Sequence, residues 1–296
     1  MKANWIALYG KVDTTASSIK HVPLPAPQGA PPQVPFTLAR SNLDFENGTI
    51  SFEVLIKEPE SKCQLGLNHG HETQYFLGLN VSGAAYGIAI FKNGQWEPAV
   101  SAGFNDRPPV GQWVAVRVRV VGSLLELYVN DVKVCGYSGS VLKSQAVLLL
   151  QGSNEITVRN FKVESSAPEC FVVMQFTDEF NTLYEEVIRP ACESFGFRVI
   201  RADDSYTSGL IIEDITRSIR EASIVIADIT PDNPNVFYEV GYAHGIGKPT
   251  ILLSDRKRER LPFDVSGFRT LFYDNTIGGK RVVEEKLRKH LESITA

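Results

Sequence analysis

Ile224-Val225-Ile226-Ala227-Asp228-Ile229-Thr230-Pro231-Asp232-Asn233-Pro234-Asn235-Val236-Phe237-Tyr238-Glu239 is the stretch that decides the fold of the second half of the chain. Its first four residues form a short apolar run of strand length, suited to burial on both faces of a parallel sheet. Asn233 is placed to cap a helix, and Pro234 suits the first helical position, where a missing N–H breaks no bond. Val236, Val240 and Ala243 then stand at i, i+4 and i+7, the stripe that faces a sheet, and Glu239 at i+3 lies on that stripe.

The same alternation extends to both sides. Phe171–Phe176 reads as a strand, and Leu183, Val187 and Ala191 repeat at helical spacing until Gly196 ends the helix. Phe197–Ile200 is a second strand, Leu210–Ala222 a second helix, and Pro234–Ile246 the third. Thr250–Leu253, Thr270–Tyr273 and a terminal helix complete the series. Strands alternating with helices predict an α/β domain over 169–296, a flavodoxin-like parallel five-stranded sheet in the order 2-1-3-4-5. Ligands of such sheets bind beyond the carboxyl ends of strands one and three. That selects the segments Phe176–Phe180 and Asp228–Glu239.

The first half follows a different period. Thr49–Ile56 and Trp113–Val120 alternate apolar and polar residues, and Asn93-Gly94, Gly122-Ser123 and Asn130-Asp131 punctuate such runs. Residues 1–165 therefore predict an all-β sandwich or barrel, making the chain multidomain. The proline-rich Val22–Val34 cannot be a central strand and reads as an extended surface connection. Glu164–Glu169, polar and without apolar periodicity, marks the boundary.

Composition narrows the function. Over 296 residues, 43% hydrophobic and 22% charged with a net charge of −4, the chain offers no basic field for nucleic acid. No stretch approaches the roughly 18 apolar residues of a membrane span, and the N-terminal apolar run is too short for a signal peptide, so we expect a cytoplasmic protein without a membrane partner. Cys63, Cys135, Cys170 and Cys192 show no metal-binding spacing and read as buried thiols, and His69-Gly70-His71-Glu72 lacks the further ligands a metal needs. No metal site is assigned.

An inward carboxylate in the second turn of a helix is costly unless paired, so Glu239 suggests a ligand that holds it, cationic or hydroxylated. The plainer alternative is that it complements the helix N-terminus from a partly exposed position, worth about 0.3–1 kcal/mol. Phe176 could stack on a base, while Thr177, Asp178 and Glu179 could reach ribose hydroxyls or simply cap a helix. Arg201, Asp203 and Asp204 follow strand two at the same rim, where they could meet a phosphate and ribose or belong to a surface turn. The run Arg256-Lys257-Arg258-Glu259-Arg260 reads as a solvated loop.

Arg201-Ala202-Asp203-Asp204, Ala227-Asp228-Ile229-Thr230, the run Asn233 to His244, and Gly247-Lys248-Pro249 together resemble bacterial Toll/interleukin-receptor (TIR)-like proteins related to nucleoside 2-deoxyribosyltransferases. The resemblance covers about Cys170 to Tyr273. It implies cleavage of an N-glycosidic bond, with Glu239 as catalytic residue, acting on the sugar as nucleophile or by stabilising its positive charge. The transferases carry an aspartate where this chain has Asn233, which can hydrogen-bond a base but is no strong proton donor. Nicotinamide leaves from a cationic centre without protonation, so the departure fits NAD+ as substrate, with no separate cofactor, better than a neutral nucleoside. The resemblance thus implies an NAD+ glycohydrolase, a hydrolase of antiviral defence acting as a homo-oligomer on a small nucleotide bound by Phe176, Thr177, Asp178, Arg201, Asp203, Asp228, Asn233, Asn235 and Tyr238. Nucleoside N-glycosidase or 2-deoxyribosyltransferase activity, or a non-enzymatic nucleotide-binding signalling scaffold, are the alternatives.

Trp113–Val134, with Gly111-Gln112 leading into a long strand, is similar to concanavalin-type or laminin-G-like sandwiches. That similarity implies a carbohydrate or protein ligand for the first domain. Tyr86, Phe91 and Trp96 could serve it or be core.

Overall fold

The computed structural model describes residues 3–24, 34–202 and 211–295. Most of the proline-rich connection, together with Asp203, Asp204 and Leu210, lies outside the described residues. The chain divides into two compact units, Met1–Val120 with Leu124–Ser166, and Val121–Ser123 with Ala167–Ala296.

The first unit is an antiparallel β-sandwich of two seven-stranded sheets among the described residues. One sheet runs, neighbour to neighbour, Trp5–Tyr9, Phe36–Phe45, Ser144–Gln151, Lys62–Leu67, Thr73–Val81, Ala84–Lys92 and Gln95–Ala102. The other runs Val132–Ser138, Leu124–Val129, Trp113–Val121, Gly48–Leu55, Ile156–Ser165, Ser18–His21 and Val12–Thr14. Period two explains the core: Val114 faces Val54, Val116 faces Phe52 and Val118 faces Ile50 across one ladder. All six are buried in a cluster that also takes Leu65, Leu77, Leu79, Leu148 and Leu150 from the opposite sheet. Each such side chain contributes about 1.5–3 kcal/mol on burial. Asn93-Gly94 turns with φ of 53° and 77°, the left-handed pair that a two-residue hairpin needs.

The second unit carries a parallel sheet in the order Arg198–Arg201, Glu169–Val173, Ile224–Asp228, Thr250–Asp255, Thr270–Tyr273, which is 2-1-3-4-5. Successive residues of the strands point to opposite faces and build two cores. Cys170, Val172, Ile224, Ile226 and Leu253 pack with Tyr184, Val187, Leu287 and Leu291. Phe171, Val173, Val225, Ala227 and Leu252 pack with Ile219, Val236, Val240 and Ala243. Burial on both faces is why these strands read as unbroken apolar runs rather than as alternating ones. Among the described residues, no helix is long and apolar enough to cross a membrane.

Three local features differ from the sequence reading. The first strand ends at Val173, because its ladder with the third strand ends at the pair Val173–Ala227, and Met174–Phe176 leave the sheet. The first helix is interrupted by a π turn, Tyr184–Ile188, between Asp178–Leu183 and Arg189–Ser194. Pro190, which has no N–H to give the helix, lies just past that turn. A short helix, Phe263–Ser266, precedes the fifth strand.

Candidate functional site

A cleft of about 700 Å³ opens where strands one and three end. Val173, Met174, Gln175 and Phe176 form one wall, with Ala202, Ile212 and Ile215 beside them. Asn233, Pro234, Asn235, Val236, Tyr238 and Glu239 form the other. That second wall is the start of helix Pro234–Gly245. Asn233 has extended backbone angles, and its side-chain oxygen accepts a 3.0 Å bond from the Asn235 N–H, with Pro234 in the first turn. The cap therefore fixes the helix entry at the cleft.

Val236, Val240 and Ala243 are buried against the sheet, and Glu239 goes with them at 8% exposure. Among the described residues, no cation or hydrogen-bond donor meets the Glu239 carboxylate. Burial alone pushes its pKa up to about 7. Phe176 and Tyr238 stand on the cleft walls half-exposed, leaving aromatic surface for a planar ring.

The remaining candidates divide. Thr177 occupies the N-cap of Asp178–Leu183 without making a side-chain cap bond. It and Asp178 are exposed and do not line the cleft; Asp178 and Glu179 sit in the first helical turn, where negative charge is favourable. Arg201, the last residue of the second strand, does not line the cleft. It is buried, gives Asn181 a 2.8 Å hydrogen bond, and lies 4.4 Å from the Tyr184 ring centroid and 5.1 Å from that of Phe176. Cation–π packing thus places it against Phe176 instead of in the cleft lining.

Asp228 also stays out of the cleft lining. It is fully buried, with one carboxylate oxygen accepting from the Thr230 N–H at 2.9 Å and the other from the Tyr273 hydroxyl at 2.7 Å. Burial pushes its pKa up to about 6 against those bonds. Its hydrogen bonds tie strand three to strand five, a structural role that the sequence position at a strand end did not distinguish from ligand binding. Met174 and Gln175 were missed because they read as the end of the first strand, and Ala202, Ile212 and Ile215 because apolar residues next to a strand or on an amphipathic helix read as core. The exposure of Ile212, 44%, is the departure that marks it as cleft wall.

Among the described residues, no group of three or more histidine, cysteine, aspartate or glutamate side chains is arranged to hold a metal ion. No family model and no curated protein matches the chain. Solved structures do. The carbohydrate-binding module CBM66 from Bacillus subtilis is 13% identical with a TM-score of 0.44, over 54% of this chain and 94% of that one. A protein of unknown function with a galectin-like fold from Bacillus subtilis is 11% identical with a TM-score of 0.40, over 53% and 87%. Chicken galectin 2 is 19% identical with a TM-score of 0.35, over 42% and 95%. Identities this low concern the all-β fold of about half the chain and nothing of its chemistry.

Proposed function

We propose that the second unit is an NAD+ glycohydrolase in which Glu239 acts on the ribose of the nicotinamide nucleoside. The observation that carries the reading is a buried carboxylate on a cleft wall with no partner among the described residues. Such a group is held at a desolvation cost that a cation in the cleft would offset. As the C1′–N bond breaks, its electron pair passes to the pyridinium nitrogen and nicotinamide departs neutral. The ribosyl carbon becomes oxocarbenium-like, and an ionised Glu239 stabilises that charge or captures it until water adds at C1′. No proton need reach the leaving group, consistent with Asn233 where an acid would otherwise stand. Phe176 and Tyr238 supply aromatic surface for the nicotinamide or adenine ring. Residues of TIR-like and deoxyribosyltransferase-like character in the sequence support the same reading, and with it a role in antiviral defence as an assembly controlled by the sandwich.

The test is nicotinamide release by the purified full chain over a concentration series, beside Glu239→Gln. Loss of release in a folded variant is the expected result. Release unaffected by the substitution sinks the role of Glu239. Base release from deoxynucleosides with NAD+ intact would favour the transferase-like alternative, and saturable nucleotide binding without turnover the scaffold.

A second reading concerns the sandwich. Trp96 is 53% exposed, with its ring centroid 4.8 Å from that of Phe76 and 5.1 Å from that of Phe91. It borders a cleft of about 530 Å³ with Lys62, Gln64, Asn80 and Gln151. The buried Gln64 amide donates to the Asn80 carbonyl at 3.1 Å, which fixes its orientation. An exposed indole beside fixed amides suits the C–H face and hydroxyls of a carbohydrate. Indole fluorescence titrated with mono- and oligosaccharides should change saturably, and lose the change in Trp96→Ala. No saturable change with any of them removes the reading.

A further inference from the structure

The basic run Arg256–Arg260, which reads in sequence as a solvated loop, is engaged on both sides of the crevice. Arg258 has a side chain only 9% exposed. Its Nη1 donates to the carbonyl oxygens of Ile229 at 2.8 Å and Thr230 at 2.6 Å, and its Nη2 to the Asp232 carboxylate. Its Nε donates to the Arg260 carbonyl at 2.9 Å, and the guanidinium lies 5.7 Å from the Phe237 ring centroid. The neighbouring Lys257 pairs with Glu179, in the helix that follows strand one, and Glu179 also accepts a 2.8 Å bond from the Asn275 amide.

We propose that Arg258 is a positioning residue for Glu239, acting through the loop between strand three and the Glu239 helix. The helix begins at Pro234, and the loop before it, Ile229 to Asn233, carries three of the four acceptors of Arg258. A guanidinium offers several donors in one plane, so it can hold two successive carbonyls and a carboxylate at once; an ammonium cannot reproduce that fork. Lys257 ties the same segment to the helix after strand one, so consecutive residues restrain both loops that frame the cleft. The Lys257–Glu179 pair is half-exposed and is the weaker arm. Arg258 does not line the cleft and needs no contact with substrate.

This inference rests on the NAD+ reading for its catalytic consequence but not for its structural one, and the experiment separates them. Amide hydrogen exchange of the ligand-free full chain is compared for wild type, Arg258→Met and Arg258→Lys, alongside nicotinamide release from NAD+. In Arg258→Met, exchange over residues 229–239 should rise about tenfold or more while the rest of the five-stranded unit is unchanged. Its kcat should fall more than its KM rises, and Arg258→Lys should lie between. Unchanged exchange, or a rise spread over the whole unit, overturns the proposal, as does a local rise with kcat intact. If wild type releases no nicotinamide, the NAD+ reading falls by itself and the exchange pattern alone decides whether Arg258 holds the loop.

Discussion

Asp228 and Glu239 are two buried carboxylates of one βα unit, eleven residues apart, and both have pKa values pushed upward by burial. Their surroundings are opposite. Asp228 has both oxygens occupied, by the Thr230 N–H and the Tyr273 hydroxyl, and has no exposed surface. Glu239 keeps a little surface on a cleft wall and has no partner among the described residues. Burial and a raised pKa do not by themselves mark a functional acid; what separates the two is whether the cost of desolvation is already met within the fold.

The largest effect that could break this contrast is on turnover. Glu239→Gln should lower nicotinamide release by about 10²–10³-fold, the scale on which a charge-stabilising group is lost. Asp228→Asn keeps shape and an acceptor for the Thr230 N–H, and Asp228 does not line the cleft, so turnover should stay within about threefold. Equal losses in two folded variants, measured as kcat/KM on NAD+, would mean that the division between them is wrong.

Stability should move in opposite directions. Asp228→Ala leaves the Thr230 N–H without its acceptor and takes one of two partners from the Tyr273 hydroxyl, and should cost about 1–3 kcal/mol near pH 4, where its buried charge does not count against the fold. Glu239→Gln should instead stabilise. The Glu239 pKa rises on folding from 4.5 to about 7. Folding therefore takes up a proton between those values, and the stability associated with Glu239 is full below the lower one and lost as pH rises through the higher. Removing the charge should give about 1–3 kcal/mol at pH 8.5 and nothing near pH 4. Chemical denaturation at the two pH values reads both variants, and a pH-independent Glu239→Gln difference would contradict an unpaired carboxylate.

The same contrast shows what the sequence could reveal. The inward stripe Val236, Glu239, Val240, Ala243 and the cap at Asn233 are set by spacing within one helix, and the structure has them as spacing predicts. The alternation that packs Val114, Val116 and Val118 is local in the same way. That Asp228 stays out of the cleft lining was not legible because the residue that occupies it, Tyr273, is 45 positions away on another strand. Arg258 looked solvated because the two acceptors of its Nη1 are backbone carbonyls, which no side-chain pattern betrays, 28 and 29 positions back. Arg201 stood open between a phosphate ligand and a surface turn for the corresponding reason: Tyr184 and Phe176 reach it only once a helix and a strand end are packed together.

Asn233 offers the smallest and most specific change. Alanine removes the acceptor for the Asn235 N–H and should cost about 1 kcal/mol of stability, with release reduced as the helix start frays. Aspartate keeps the cap and adds favourable charge at the helix N-terminus, so stability should hold. It also places a second acid on the cleft wall that carries Glu239. Ionised, that acid disfavours the Glu239 carboxylate, and the rising limb of the pH–rate profile for nicotinamide release should move up by about half a unit. An unmoved profile in a stable Asn233→Asp variant would mean that the group titrating in the rate is not Glu239. A shift with retained stability would place the ionisation of Glu239 in the reaction without changing that residue at all.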